Sequence, residues 1–173
     1  MIGVRAGIGL LRAGVLLAGL AAPGAAGSFD IMGTVTVTAD DSRLTLWVPF
    51  DGEEQEPYAT RMAAGVMTIY TIDAFSGTPG ESLGTPRLSL SLTIAGGTVR
   101  AGDLTYFSGP NAAVFGAGEG IGMLSFGRVT VEGATLSFEF VAQGQELDRT
   151  DFDAAEGGSR ITLSGDVRVT FQD

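Results

Sequence analysis

The chain has 173 residues, with ten arginines, 20 aspartates and glutamates, and no lysine, histidine or cysteine. Those zeros exclude an imidazole base, a thiolate nucleophile, a zinc site of nitrogen and sulfur ligands, a lysine Schiff base and a disulfide. A formal net charge of −10 repels phosphate backbones and argues against nucleic-acid binding.

Residues 1–27 carry Arg5 and Arg12 but no acid. An apolar run from Ala13 to Ala22 follows, then small residues to Gly27. This is the pattern of a secretory signal peptide, removed just before Gly27 or Ser28. The run of ten residues is too short to span a membrane, which takes about 20. The mature chain, residues 28–173, keeps all 20 acids against eight arginines, for a net charge near −12. At this size one domain is expected, with about 70% of the extended-chain surface buried and no need for staples. The expected location is periplasmic or extracellular. Exclusive use of arginine beside abundant alanine and glycine is associated with GC-rich bacterial genomes.

From Ser28 onward the sequence alternates apolar and polar residues with a period of two, the signature of half-buried strands. In the first hairpin, a turn at Asp40-Asp41 sets Val37 against Leu44, Val35 against Leu46, Gly33 against Val48 and Ile31 against Phe50. The opposite face then pairs Thr38 with Arg43, Thr36 with Thr45, and Thr34 with Trp47. Asp51 to Glu56 reads as an acidic loop, Pro57 to Ala64 as a short helix, and Val66 to Ile72 as a strand. Phe75 to Pro86 is rich in turn residues and reads as a loop. The second hairpin turns at Gly96-Gly97, pairing Ile94 with Val99 and Leu92 with Ala101. A β-bulge near Gly102 is then required to bring Leu90 to Leu104 and Leu88 to Tyr106. A short strand is expected at Ala112 to Phe115, followed by a loop from Gly116 to Gly122. The third hairpin, turning at Glu132-Gly133, would pair Val131 with Ala134, Val129 with Leu136, and Gly127 with Phe138, whose ring would cover the glycine. The last strand places Ile161, Leu163, Gly165, Val167, Val169 and Phe171 on one face, with a bend expected near Gly165.

Four segments resemble functional motifs. Gly80-Glu81-Ser82-Leu83-Gly84 matches the nucleophile-elbow spacing, but that elbow needs a strand-to-helix turn and a histidine, so a plain loop is expected. Gly116 to Gly122 has dinucleotide-loop glycines without a following helix, and Glu119 would repel a pyrophosphate. Asp148, Asp151, Asp153 and Glu156 cluster as oxygen donors for calcium, without EF-hand spacing and with Arg149 among them. Glu132 and Glu139 are the obvious pair for carboxylate-based glycoside chemistry, although one lies in a turn and the other on a polar strand face. Trp47 is either an exposed recognition anchor or, as expected here, covered by a second layer such as Pro57 to Ala64.

The predicted fold is all-β: a single antiparallel β-sandwich or small β-barrel of about eight or nine strands, built from consecutive hairpins after an N-terminal signal helix. The predicted function is that of an exported soluble binding or structural module, non-enzymatic, without cofactor or metal, engaging a protein, glycan or small molecule. No transmembrane helix is expected after signal removal. One alternative is a small outer-membrane β-barrel, for which one Trp and three Tyr make thin interfacial girdles. Another is a calcium-binding or carbohydrate-active β-domain. An apolar cavity would indicate a carrier, and a filled core would indicate surface recognition.

Overall fold

Residues 28–172 are described in this computed structural model, so the expected signal segment lies outside the described residues. Among the described residues alternation gives strands and no helix. The first half holds β1 (Phe29–Ala39), β2 (Ser42–Asp51), β3 (Glu56–Pro57), β4 (Ala59–Ala64), β5 (Met67–Ser76) and β6 (Gly84–Ala95). The second half holds β7 (Thr98–Phe107), β8 (Val114–Ala117), β9 (Met123–Phe126), β10 (Thr130–Glu132), β11 (Thr135–Glu146) and β12 (Arg160–Thr170). All twelve join one antiparallel sheet, in the order β3-β2-β1-β12-β11-β8-β7-β6-β5-β4, with β9 and β10 both on β11. One further pairing joins β2 to β5 at Trp47 and Phe75. The count exceeds the expected eight or nine because the short pieces β3, β8, β9 and β10 bridge between longer strands.

The first hairpin keeps its expected register from Thr38–Arg43 through Gly33–Val48. It then departs, since Met32 bulges and Ile31 meets Pro49 rather than Phe50. The cause lies at Gly33, where a Cβ would sit 2.2 Å from the Arg168 carbonyl oxygen of β12. So close an approach of two backbones is a setting in which strands bulge. The bulge exchanges side chains, burying Met32 and leaving Ile31 54% exposed.

The second hairpin turns at Gly96-Gly97 and pairs Ile94 with Val99, Leu90 with Leu104 and Leu88 with Tyr106. The extra residue is Arg100, two positions before Gly102, so Leu92 meets Gly102 instead of Ala101. Gly102 stays in the regular ladder because its missing side chain is used elsewhere: a Cβ there would lie 2.5 Å from the Phe126 ring. The third hairpin also shifts. Val131 pairs with Leu136 and Glu132 with Thr135, so the turn is Gly133-Ala134 rather than Glu132-Gly133. Gly133 has φ +60°, and a turn with a positive φ at its first central position favours glycine there over glutamate. Gly127 consequently donates to the Glu139 carbonyl at 2.9 Å, and Phe138 packs edge-on against Phe126 instead of covering Gly127.

Pro57 to Ala64 is extended, not helical. Tyr58 donates to the Pro49 carbonyl of β2 at 3.2 Å and accepts from Asp73 of β5 at 2.7 Å, so this segment joins two strands by their backbones. Tertiary pairing outweighs the modest helix propensity of eight residues. The strand expected at Val66 to Ile72 runs on to Ser76, drawing Phe75 out of the expected loop, and that expected at Ala112 to Phe115 begins at Val114.

One face of every long strand converges on a single core. Val35, Leu46, Ile72, Leu90, Leu136 and Leu163 are all at most 1% exposed. Aromatic rings fill the middle: Tyr70 lies 5.3 Å from Phe171, and Phe140 covers Gly165.

Candidate functional site

A second apolar region lies on the other side of the sheet. Trp47 of β2, Phe75 of β5, Arg87 of β6, Phe107 of β7 and Val114 of β8 are successive cross-strand partners. Their chain neighbours Leu46, Ala74, Leu88, Tyr106 and Phe115 all belong to the inner core. Alternation therefore places this row on the outer face. Elsewhere that face carries small polar side chains such as Ser89, Ser91 and Thr105.

Trp47 is covered, at 2% exposed, as expected. Phe29 packs edge-on against it at 5.8 Å, and Tyr58 packs on neighbouring Phe75 at 5.3 Å. The Phe29 amide is tied to the Gly80 carbonyl at 3.0 Å, which brings the β5–β6 connection over the row. Trp47 Nε1 is buried without a hydrogen-bond acceptor.

Beyond Phe75 the row becomes the floor of an open groove of about 660 Å³. Arg87, Phe107 and Val114 continue the floor, while Leu83, Gly84 and Thr85 form one wall. Gly109 and Pro110 come from the β7–β8 connection, and Arg149 and Phe152 from the β11–β12 connection. The Arg87 guanidinium stacks on the Phe107 ring, 3.9 Å from its centroid. Arg149 donates to the Pro110 carbonyl at 3.4 Å and to the Ala112 carbonyl. Among the described residues no aspartate or glutamate lines the groove.

The acidic segment suggested for calcium builds this wall. Asp148 Oδ1 accepts from the Thr150 amide at 2.7 Å, and Asp151 Oδ1 accepts from the Asp153 amide at 3.0 Å. Phe152 donates to the Asp148 carbonyl, and Asp148 to the Asp153 carbonyl, each at 2.9 Å. These bonds hold Phe152 at φ +62°, a left-handed conformation that few bulky residues adopt, with its ring half-exposed on the groove. Next to it, Glu146 Oε2 accepts from the Ser159 hydroxyl at 2.5 Å and the Ser159 amide at 3.0 Å. The hydroxyl bond, then the amide bond, pulls the Glu146 pKa below the usual carboxylate range, and the Thr150 amide does the same for Asp148. Asp153 and Glu156 are exposed. Among the described residues no group of three or more acids is placed to share a metal ion.

The other candidate segments have structural roles here. Ser82 Oγ accepts from the Thr78 amide at 3.1 Å and closes the β5–β6 turn, so the elbow-like spacing forms a loop brace. In the glycine-rich stretch, Gly118 and Ile121 exchange backbone hydrogen bonds of 2.7 and 3.2 Å, turning β8 into β9. Glu132 sits level with Thr135 on β11, whereas Glu139 is four residues further along the same strand. At a rise of about 3.4 Å per residue their backbones stand roughly 14 Å apart.

Sequence reasoning missed Arg87, Phe107, Phe152 and the outward placement of Phe75. One signal was available: the outward positions of β6 and β7 read Ser-Ser-Thr and Thr until Arg87 and Phe107 break the polar series. Comparison with family models, curated proteins and solved structures gave no match.

Proposed function

We propose that the chain is an exported, water-soluble β-barrel that acts as a non-enzymatic binding module, with the groove as its site. The groove carries this reading: a concavity of about 660 Å³ with three phenylalanines and two arginines lies within the size range of small-molecule sites. The filled inner core supports recognition at this outer groove over carriage of a ligand inside the barrel.

The barrel reading rests on pairings that return to their start. From Ser137 of β11 the row passes through Arg168, Thr34, Trp47, Phe75, Arg87, Phe107 and Val114, and the Val114 carbonyl meets the Leu147 amide at 2.8 Å. The path crosses eight strands and arrives ten residues further along the chain, since Leu147 follows Ser137 by ten. A stagger of ten over eight strands corresponds to a strand tilt of about 40°, within the range that closed barrels adopt. An eight-stranded barrel has an interior just wide enough for side chains or for one small ligand, and here the buried core cluster lines it.

The polarity of the two faces supports a soluble barrel over an outer-membrane one. A lipid-facing wall needs its apolar residues outward. Here the apolar set faces inward, and Arg43, Asp103, Glu139 and Arg168 occupy the outer face. Among the described residues no helix is long and apolar enough to cross a membrane. The signal-like segment at residues 1–27 supports export.

A thermal-shift screen of diverse small molecules tests the binding role, with Phe107→Ala as the control. The expected result is a set of compounds that raise Tm in the native protein and not in the variant. A screen whose hits are all indifferent to Phe107 contradicts the reading. Recovery in a periplasmic wash without detergent is expected, and recovery only with detergent contradicts solubility.

A further inference from the structure

In a chain with twice as many acids as arginines, the described lining of the groove holds two guanidiniums and no carboxylate. We propose that the groove binds a monocarboxylate carrying a flat apolar body, with Arg87 and Arg149 receiving the carboxylate and the phenylalanines receiving the body. The proposal rests on the groove being the binding site.

Arg87 is held by its face. Stacking on Phe107 uses the π surface of the guanidinium and does not itself consume the N–H donors at its edge. That edge is a fork matched to the two oxygens of a carboxylate. Arg149 is held by its ends, through bonds to the Pro110 and Ala112 carbonyls, which are neutral acceptors and leave its charge in place on the wall. A guanidinium offers five N–H donors, and these contacts use only part of them. Both cations are thus pre-positioned, which lowers the ordering cost of binding an anion.

The apolar part of the groove argues against a small hydrated anion such as phosphate. Phe75, Phe107, Phe152, Leu83 and Val114 would have no partner in such a complex. A neutral apolar molecule fails for the opposite reason, since it would desolvate two guanidiniums without pairing them. A carboxylate on an aromatic body satisfies both. Phe152 supplies an independent sign of function: bonds from the Asp148 loop hold a bulky residue in a disfavoured conformation, with its ring turned to the groove.

The test uses 2-naphthoate and its neutral analogue 2-naphthamide, titrated calorimetrically into the native protein, Arg87→Gln, Arg149→Gln and Arg168→Gln. The two probes share a ring system and differ in charge. Arg168 lies on the β12 wall, away from the groove. The native protein should bind naphthoate at least about tenfold more tightly than naphthamide, as expected for a charge-assisted hydrogen-bonded pair. Arg87→Gln should remove most of that preference, read as the ratio of the two affinities in each protein. Arg149→Gln should reduce the preference, and Arg168→Gln should not alter it. Equal affinity for both probes in the native protein would overturn the carboxylate proposal and leave the groove reading standing. A naphthoate preference that survives both groove substitutions would overturn it too. Binding of neither probe at millimolar concentration would overturn the groove reading together with the proposal.

Discussion

An alanine at Gly165 would place its Cβ 2.2 Å from the Thr36 carbonyl oxygen of β1 and 2.9 and 3.0 Å from the Phe140 ring. Ordinary carbon contacts lie near 3.5–4.0 Å, so both neighbours would have to retreat. Neither has room. Thr36 is flanked by Val35 and Val37, both fully buried, and β1 is paired on one side to β12 and on the other to β2. Overpacking costs about 1–3 kcal/mol, and a strained ladder bond adds about 1 kcal/mol, so Gly165→Ala should lose about 2–4 kcal/mol. Phe140→Ala should lose about 3–5 kcal/mol, because the ring is 1% exposed and leaves a cavity. In the double variant the new methyl group occupies part of that cavity, so the two losses should fall short of additivity by about 1 kcal/mol. The residual Gly165→Ala penalty measures the clash with Thr36. Urea unfolding of the four proteins reads these values from midpoints at constant slope. A Gly165→Ala variant within about 0.5 kcal/mol of the native protein would refute the reasoning, since surface-like changes have that size.

Three further expectations follow from the groove wall and its neighbours. The depressed carboxylates Glu146 and Asp148 contribute stability that is present above the ordinary carboxylate range and is lost as pH falls through their lowered folded values. The Ser159 and Thr150 amides should therefore lose exchange protection on acidification below about pH 4. Ser159→Ala should move the Glu146 titration part of the way back up, because the amide bond remains; an ordinary value in the native protein contradicts this. Phe152→Asn should keep or raise stability by up to about 1 kcal/mol, because asparagine tolerates the left-handed conformation, while weakening any groove ligand. A stability loss with unchanged binding counts against the role assigned to the ring. Trp47→Phe removes a buried donor that has no acceptor, so it should change stability by about 1 kcal/mol or less. A loss above about 3 kcal/mol in denaturant unfolding would mean that the indole N–H is satisfied after all.

The strands were legible where both faces of a hairpin agreed. Val35, Val37, Leu44 and Leu46 alternate cleanly with Thr36, Thr38, Arg43 and Thr45, so one register satisfies both faces. The register departs from the hairpin pattern where a distant part of the chain decides the local geometry. Met32 bulges because β12 approaches Gly33, and the bulge before Gly102 is set by the Phe126 ring, which arrives from β9. Neither neighbour is visible in the hairpin's own sequence. Pro57 to Ala64 has a helical length and composition, yet β2 and β5 hold it extended through Tyr58. The groove was less legible still. Its floor and walls come from β5, β6, β7 and the β11–β12 connection, which have no common spacing. Asp148 and Asp151 attracted attention as metal ligands because carboxylates on a turn suit both calcium and backbone amides, and only the geometry separates the two.

The central claim is that ligand is received at the outer groove and not elsewhere on the protein. Titration of the isotope-labelled protein with 2-naphthoate, followed through its backbone amide resonances, tests it most directly. The amides of Phe75, Arg87, Phe107 and Phe152 should shift together with one affinity, while Thr34 and Arg168 on the far wall stay in place. Shifts concentrated on the far wall, or on the exposed β4–β5 tip around Met62 and Val66, would contradict the account.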